Sequence, residues 1–194
     1  MRSGIRVFDL HAAEYDAWFE ESPDRFAAQV RILQTILPRG GRGLEIGTGT
    51  GRFASSLAIR YGLDPSLPML ARARNREIEV VRGTGESLPY RAGVFDFILM
   101  MTIICFMEDI HQSFREACRV LKPGGTLAVA FIERDTAVAR KERDPKPPGR
   151  FLRHARFRSA EEVTGTLEDA GFSFSVAYQQ GLCIVTAEKK QPQP

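Results

Sequence analysis

The chain has 194 residues, is 43% hydrophobic and 26% charged, and carries a formal charge of +3, which suits one globular domain able to cover both faces of a sheet. No apolar run approaches the roughly 20 residues of a membrane-spanning helix, and Met1-Arg-Ser-Gly-Ile5 has no apolar stretch behind its charge, so neither membrane insertion nor a secretory signal is expected. Three cysteines, Cys105, Cys118 and Cys183, lack paired spacing, which excludes a disulfide framework and a zinc site and makes a reducing cytoplasm the expected compartment.

Apolar residues recur at helical spacing over Leu10–Phe19 and Asp24–Leu37, with Ser22-Pro23 as a helix start between them. Pro38–Gly43 ends this prelude, and strands and helices then alternate. Strands are expected over Gly43–Ile46, Arg60–Leu63, Glu77–Val81, Val94–Met101 and Thr126–Ile132, and helices over Arg52–Arg60, Ser66–Asn75 and His111–Leu121. Lys122-Pro-Gly-Gly125 reads as a helix stop followed by a turn. Residues 133–158 lack a regular pattern and hold Pro145, Pro147 and Pro148; long segments of this kind are usually functional or mobile. A helix over Ser159–Ala170, with Ser159 as its N-cap, precedes two strands, Phe172–Tyr178 and Leu182–Glu188, joined as a hairpin. The fold class is therefore α/β: a Rossmann-like, seven-stranded, mostly parallel sheet with helices on both faces and a C-terminal antiparallel hairpin. The tail, 191–194, is expected to be disordered.

The chemistry begins at Leu44-Glu-Ile-Gly-Thr-Gly-Thr-Gly51. Gly47, Gly49 and Gly51 follow a strand and open a helix, where glycine permits positive φ and close approach of a ligand to the backbone. A tight structural loop is the plainer alternative. The spacing is not the Gly-x-Gly-x-x-Gly that seats a pyrophosphate, and Glu45 would repel a phosphate but can help hold an ammonium group. Asp64, ending the second strand before Pro65, can accept both ribose hydroxyls, or alone could cap the next helix. Further markers are Arg82-Gly-Thr-Gly-Glu-Ser-Leu-Pro-Tyr90, Val94-Phe-Asp-Phe97 and Leu121-Lys-Pro-Gly-Gly125, each structural on its own and specific only in this order.

From about Phe8 to Tyr178 the chain resembles a class I S-adenosylmethionine-dependent methyltransferase, of the broad type 11 group that includes the quinone-biosynthesis C-methyltransferases. Thr102-Ile-Ile-Cys-Phe106 and Arg153–Ser159 resemble a small prokaryotic subgroup without an assigned substrate. The resemblance implies S-adenosylmethionine as cofactor. It places Glu45, Gly47, Thr48, Gly49 and Gly51 in the glycine turn, Asp64 and Pro65 at the ribose, Met69 against the adenine, Thr84, Gly85 and Glu86 in the adenine-side loop, and Thr102 beyond the central strand. Many relatives carry Asp where Thr84 stands, so the contact to the adenine amino group is expected either to be weaker or to come from the backbone of Gly85 and Glu86. Residues 1–40 would form a helical lid, and 41–190 the cofactor-binding core.

Methyl transfer from a sulfonium needs alignment and a dry pocket more than a catalytic group. The expected function is transfer to a small-molecule acceptor by in-line displacement. An RNA or protein methyltransferase, or an idle cofactor-binding regulatory protein, are the alternatives. Tyr15 and His154 are the weak catalytic candidates, and Trp18, Cys105, Phe106 and Arg156 the weak acceptor-site candidates. Between Arg134 and Arg158 nine Lys/Arg face three Asp/Glu; a small acidic acceptor suits this run better than nucleic acid, since the overall charge is low and no stacking surface accompanies it. No His, Cys or carboxylate cluster has ligand spacing, so no metal is expected. The oligomeric state is not encoded in any of these features.

Overall fold

A computed structural model describes residues 3–142 and 150–191. The helical prelude is three helices rather than two: α1 (Ser3–Leu10), α2 (Ala12–Glu21) and α3 (Pro23–Ile36). The break between the first two falls at His11, whose φ of −128° and ψ of 29° leave the helical region. Pro23 opens α3, where a missing N–H leaves no hydrogen bond unmade.

The alternating part then runs β1 (Gly43–Ile46), α4 (Arg52–Ser56), β2 (Tyr61–Asp64), α5 (Leu67–Arg74), β3 (Glu79–Arg82), β4 (Phe95–Met101), α6 (Ile110–Val120) and β5 (Leu121–Phe131). It ends with α7 (Ala137–Glu142), α8 (Ala160–Asp169), β6 (Phe172–Gln179) and β7 (Leu182–Lys189). α4 is shorter than the expected Arg52–Arg60 because Ala58 turns left-handed at φ 53°, which drops the chain directly into β2. Lys122–Gly125 lies within β5 but bulges out of the ladder: Phe95 pairs with Leu121 and Phe97 with Thr126, and Gly124 takes φ 72°, in keeping with a helix stop followed by a turn.

The sheet order is β3-β2-β1-β4-β5-β7-β6, parallel except that β7 runs antiparallel between β5 and β6. The order reverses between β1 and β4, and beyond their C-terminal ends a crevice opens. Strand alternation builds a core on each face. Ile98 and Met100 of β4 pack with Phe114 of α6 and Val163 and Leu167 of α8. Phe97, Leu99 and Met101 face the other way, onto Val30 and Leu33 of α3 and Phe53 of α4. A register shift between Phe95 and Phe97 lets Phe95 join the first core despite its odd position.

The expectation of no regular structure over 133–158 is corrected by α7 and by a 3₁₀ turn at Leu152–His154. Both ends of this segment are pinned together where Glu133 bridges Arg158 and the Arg134 N–H donates to the Arg158 carbonyl at 2.9 Å. Pro145, Pro147 and Pro148, and residues 192–194 of the tail, lie outside the described residues.

Candidate functional site

The glycine turn is fixed to β2 from below: the N–H groups of Gly47 and Thr48 both donate to the Leu63 carbonyl, at 2.7 and 3.0 Å. Gly47 and Gly49 take left-handed φ values of 73° and 54°. A Cβ on Gly47 would lie 2.3 Å from Ile103, whereas one on Gly49 would meet nothing nearer than the Tyr15 ring at 3.7 Å. Gly49 therefore opens onto space, as a backbone that receives a ligand must.

Asp64 ends β2 under this turn. Its Oδ2 accepts from Gly49 N–H at 3.0 Å and its Oδ1 from Ser66 N–H at 2.9 Å. Burial pushes its carboxyl up to about 6, against the two backbone donors that favour the charge. Each oxygen keeps acceptor capacity for a further donor.

Asp64 lines a narrow cleft of about 60 Å³ between Ile46–Gly47, Pro65–Ser66 and the loop Gly83–Glu86, closed at its outer end by Phe8, Phe106 and Met107. Thr84, Gly85 and Glu86 thus stand on the cleft wall, and Thr84 bridges Ser87 to shape the loop. Four residues, Phe8, Gly47, Ile103 and Phe106, also line a second, wide cavity of about 680 Å³. This cavity runs from Gly49, Met69 and Thr102 out to Trp18, Arg25 and Gln29, and to Arg150, Phe151 and Arg153 across from them. Thr102 leaves β4 at φ 53°, costing about 1–3 kcal/mol for a non-glycine residue, and its N–H donates to Ala130 at 2.7 Å. The strained backbone turns Thr102 towards the cavity instead of continuing the strand.

Several expected site residues stand elsewhere. Met69 is buried on the wide cavity, not on the narrow cleft, where Pro65 and Ser66 take the corresponding wall. Glu45 reaches neither cavity wall. It lies beneath the turn, where its Oε2 accepts from the Thr48 hydroxyl at 2.8 Å and Ala54 N–H at 3.0 Å, and burial pushes its carboxyl up to about 8. Thr48 and Gly51 are likewise scaffold, Gly51 packing on Ala73. Cys105 lines neither cavity; burial pushes its thiol up to about 12, and the thiol donates to the Thr102 carbonyl. His154 and Arg156 are exposed and off both walls. Arg156 contributes only its N–H, to the Cys105 carbonyl at 2.8 Å.

Tyr15 is on the wall, its ring 5.6 Å from Phe8, 5.4 Å from Phe19 and 5.3 Å from Phe151. Burial, with the Glu45 and Asp64 carboxyls nearby, raises its hydroxyl far above the ordinary phenol range, so the phenol is neutral at neutral pH. Arg25, Gln29, Phe53, Arg150, Phe151 and Arg153 also line the cavity, though sequence reasoning did not single them out. Gln29 carried a signal: it is a polar side chain in the apolar stripe of Phe26, Val30 and Leu33. Equally unforeseen is Asp16, buried in α2. It binds Arg52 at 2.7 Å and Arg76 at 2.9 Å, while Arg76 also donates to the Thr50 carbonyl. Burial opposes that charge, but the two guanidinium groups hold the carboxyl down at about 2. The network ties α2 to the end of the glycine turn.

A switch-point crevice with a glycine turn, a buried acid at the end of β2 and an aromatic roof defines a nucleoside-binding α/β transferase site. Residues 44–129 match the family described as a methyltransferase domain. The chain is 35% identical to a S-adenosylmethionine-dependent methyltransferase of Thermotoga maritima, named as a possible histamine N-methyltransferase; the match covers 95% of this chain and 99% of that one, with a TM-score of 0.89. It is 32% identical to a malonyl-[acyl-carrier protein] O-methyltransferase of Geobacter sulfurreducens, over 86% of this chain and 68% of that protein. An uncharacterized protein of Methanocaldococcus jannaschii is 40% identical over 87% of this chain and 82% of its own length. An uncharacterized Mycobacterium tuberculosis protein is also 40% identical, but this chain spans only 58% of it. The protein belongs to the class I S-adenosylmethionine-dependent methyltransferases, in the type 11 group.

The residues present fit that cofactor. The narrow cleft has a buried carboxylate with spare acceptor capacity, and the open backbone of Gly49 lies beside the junction with the wide cavity. Among the described residues there is no group of three His, Cys, Asp or Glu that could hold a metal ion, and no helix is long and apolar enough to cross a membrane.

Proposed function

We propose that the protein transfers a methyl group to a small-molecule acceptor held in the wide cavity. One observation carries this reading: the narrow cleft and the wide cavity share Gly47, Ile103 and Phe106, so a nucleoside in the first presents its far end to the second. Bound S-adenosylmethionine supplies a methyl group already activated by its sulfonium. The protein then has to bind, orient and exclude water. Asp64 would accept the ribose hydroxyls, and Gly83–Glu86 with Pro65 and Ser66 would enclose the adenine. The Gly47–Gly49 backbone would receive the amino-acid end. Tyr15, Phe8 and Phe106 put aromatic rings at the junction, whose π faces suit a sulfonium cation.

The roof of α1, α2 and residues 150–153 supports a small acceptor, since a nucleic-acid strand needs an open, basic groove. The relatives' names span an acid and an amine as acceptors, so likeness alone does not choose between them. The test is calorimetry with S-adenosylhomocysteine and NAD, followed by an acceptor screen with isotope-labelled cofactor read by product mass. Binding of the first ligand only, and a labelled small product, is expected. NAD binding without a response to the adenosyl ligand would sink the reading.

A further inference from the structure

Arg25 and Gln29 are four residues apart on α3, so they share one face a single turn apart, and both line the wide cavity. Gln29 is only 5% exposed as a whole residue, makes no side-chain hydrogen bond among the described residues, and presents its amide to the open cavity. An amide held on a cavity wall without a protein partner is available to a polar group of a ligand. Arg25 is held over the Trp18 ring at 5.7 Å. Arg153 reaches the same cavity from the turn at Leu152–His154. Neither arginine has a carboxylate partner among the described residues. Arg150 differs: it is engaged by His11 at 2.8 Å and by Glu14 at 3.4 Å.

The charge balance indicates what is missing. Three arginines and one carboxylate (Arg25, Arg150, Arg153 and Glu14) line the cavity, a net of +2 from three positive and one negative. S-adenosylmethionine adds a sulfonium, an ammonium and a carboxylate, itself net positive, so its own carboxylate cannot neutralise the wall. Resting on the methyltransferase reading above, the structure assigns to Arg25, Gln29 and Arg153 a subsite for an anionic group of the acceptor, of the carboxylate class. A guanidinium offers two parallel donors to a carboxylate, and the Gln29 amide offers a third. Trp18, Phe53 and Phe151 then favour an apolar body next to the charged end.

The test uses the full chain saturated with S-adenosylhomocysteine, whose own binding isotherm separately tests the methyltransferase reading. Small aromatic and aliphatic carboxylic acids, such as 4-hydroxybenzoate, are titrated beside their matched primary amides. The acids are expected to bind about tenfold tighter than the amides or better, with the preference shrinking at high salt. Arg25→Gln and Arg153→Gln should each remove most of that preference, and Gln29→Leu should weaken acid binding in a protein that still melts cooperatively. Affinity for S-adenosylhomocysteine should stay within about twofold throughout. Amides binding as well as acids, or no acid binding at all, would overturn the assignment. So would arginine variants that lose S-adenosylhomocysteine in the same proportion, because the corner would then hold the cofactor's carboxylate instead.

Discussion

Asp64 and Glu45 are both carboxyls held in the buried base of the glycine turn, and their partners separate their roles. Asp64 faces the cleft with its charge partly compensated, so its carboxyl at about 6 is ionised at neutral pH and uncomfortable without a ligand. Its folded value lies above the ordinary one, so the stability it contributes is present at low pH and lost as pH rises through about 6. Asp64→Asn should therefore stabilise the ligand-free protein at pH 7 by about 1 kcal/mol, once one weakened N–H contact is deducted, and so raise its melting temperature. The same change should cost about 1.5–3 kcal/mol in S-adenosylhomocysteine binding, the range for hydrogen bonds to a charged group. In the unaltered protein, affinity should climb as pH rises through about 6, as the carboxylate forms. Calorimetry across that range, with melting curves on both proteins, checks all three; a lower melting temperature with unchanged affinity would show that Asp64 is scaffold only. Glu45→Gln keeps an acceptor for Thr48 and Ala54, so cofactor affinity at pH 7 should change by less than about 0.5 kcal/mol.

Among the elements, α2 is the one whose attachment the sequence hid. The family resemblance implied that its aromatic residues form a lid, but Asp16 reads as an ordinary surface acid beside them. Only the fold brings Arg52 and Arg76, distant in the chain, onto one carboxylate. The β1–glycine turn–β2 unit was legible because its signal is local: glycine where φ is positive, and an acid where a strand ends. The acceptor wall was not, because Arg25, Gln29 and Arg153 are separated in sequence and meet only across the roof. His154 and Arg156 were drawn from the right segment but point off the cavity, since a 3₁₀ turn three residues long fixes which side chains face inward. Asp16→Ala should destabilise the protein by about 1.5–3 kcal/mol, because Arg76 keeps only the Thr50 carbonyl and Arg52 only the exposed Glu20. Hydrogen exchange in Ala12–Glu21 should rise more than in Phe95–Met101. Equal changes in both would mean that the network stabilises the whole domain and not the attachment of the roof. α1 has no such ion-pair anchor among the described residues and is held by Phe8 against Phe106 and Phe151, so ligand binding should slow its exchange more than that of α2.

At the scale of the whole molecule, these carboxyls titrate in opposing directions and set the pH at which the ligand-free protein is most stable. Asp16, held at about 2, contributes stability that is present above its ordinary value and lost as pH falls through about 2; Asp96, Glu116 and Glu162, lowered by their own hydrogen bonds, act in the same sense. Asp64 and Glu45 are raised, so their contribution is present below their ordinary values and lost as pH rises through about 6 and about 8. The ligand-free protein should therefore be most stable near pH 4, with a decline of a few kcal/mol, order of magnitude, that is complete by about pH 8. The decline has two separable parts. Ribose hydroxyls donating to Asp64 would favour its charged form, so saturating S-adenosylhomocysteine should remove the portion lost as pH rises to about 6. Glu45 lies beneath the turn and lines neither cavity, so its portion, lost as pH rises to about 8, should persist with ligand and vanish in Glu45→Gln. Melting curves from pH 4 to pH 9, with and without ligand and on both proteins, read this directly. A ligand-free melting temperature that rises between pH 5 and pH 9 would show that these two carboxyls are solvated in solution and that the turn is looser than its hydrogen bonds imply.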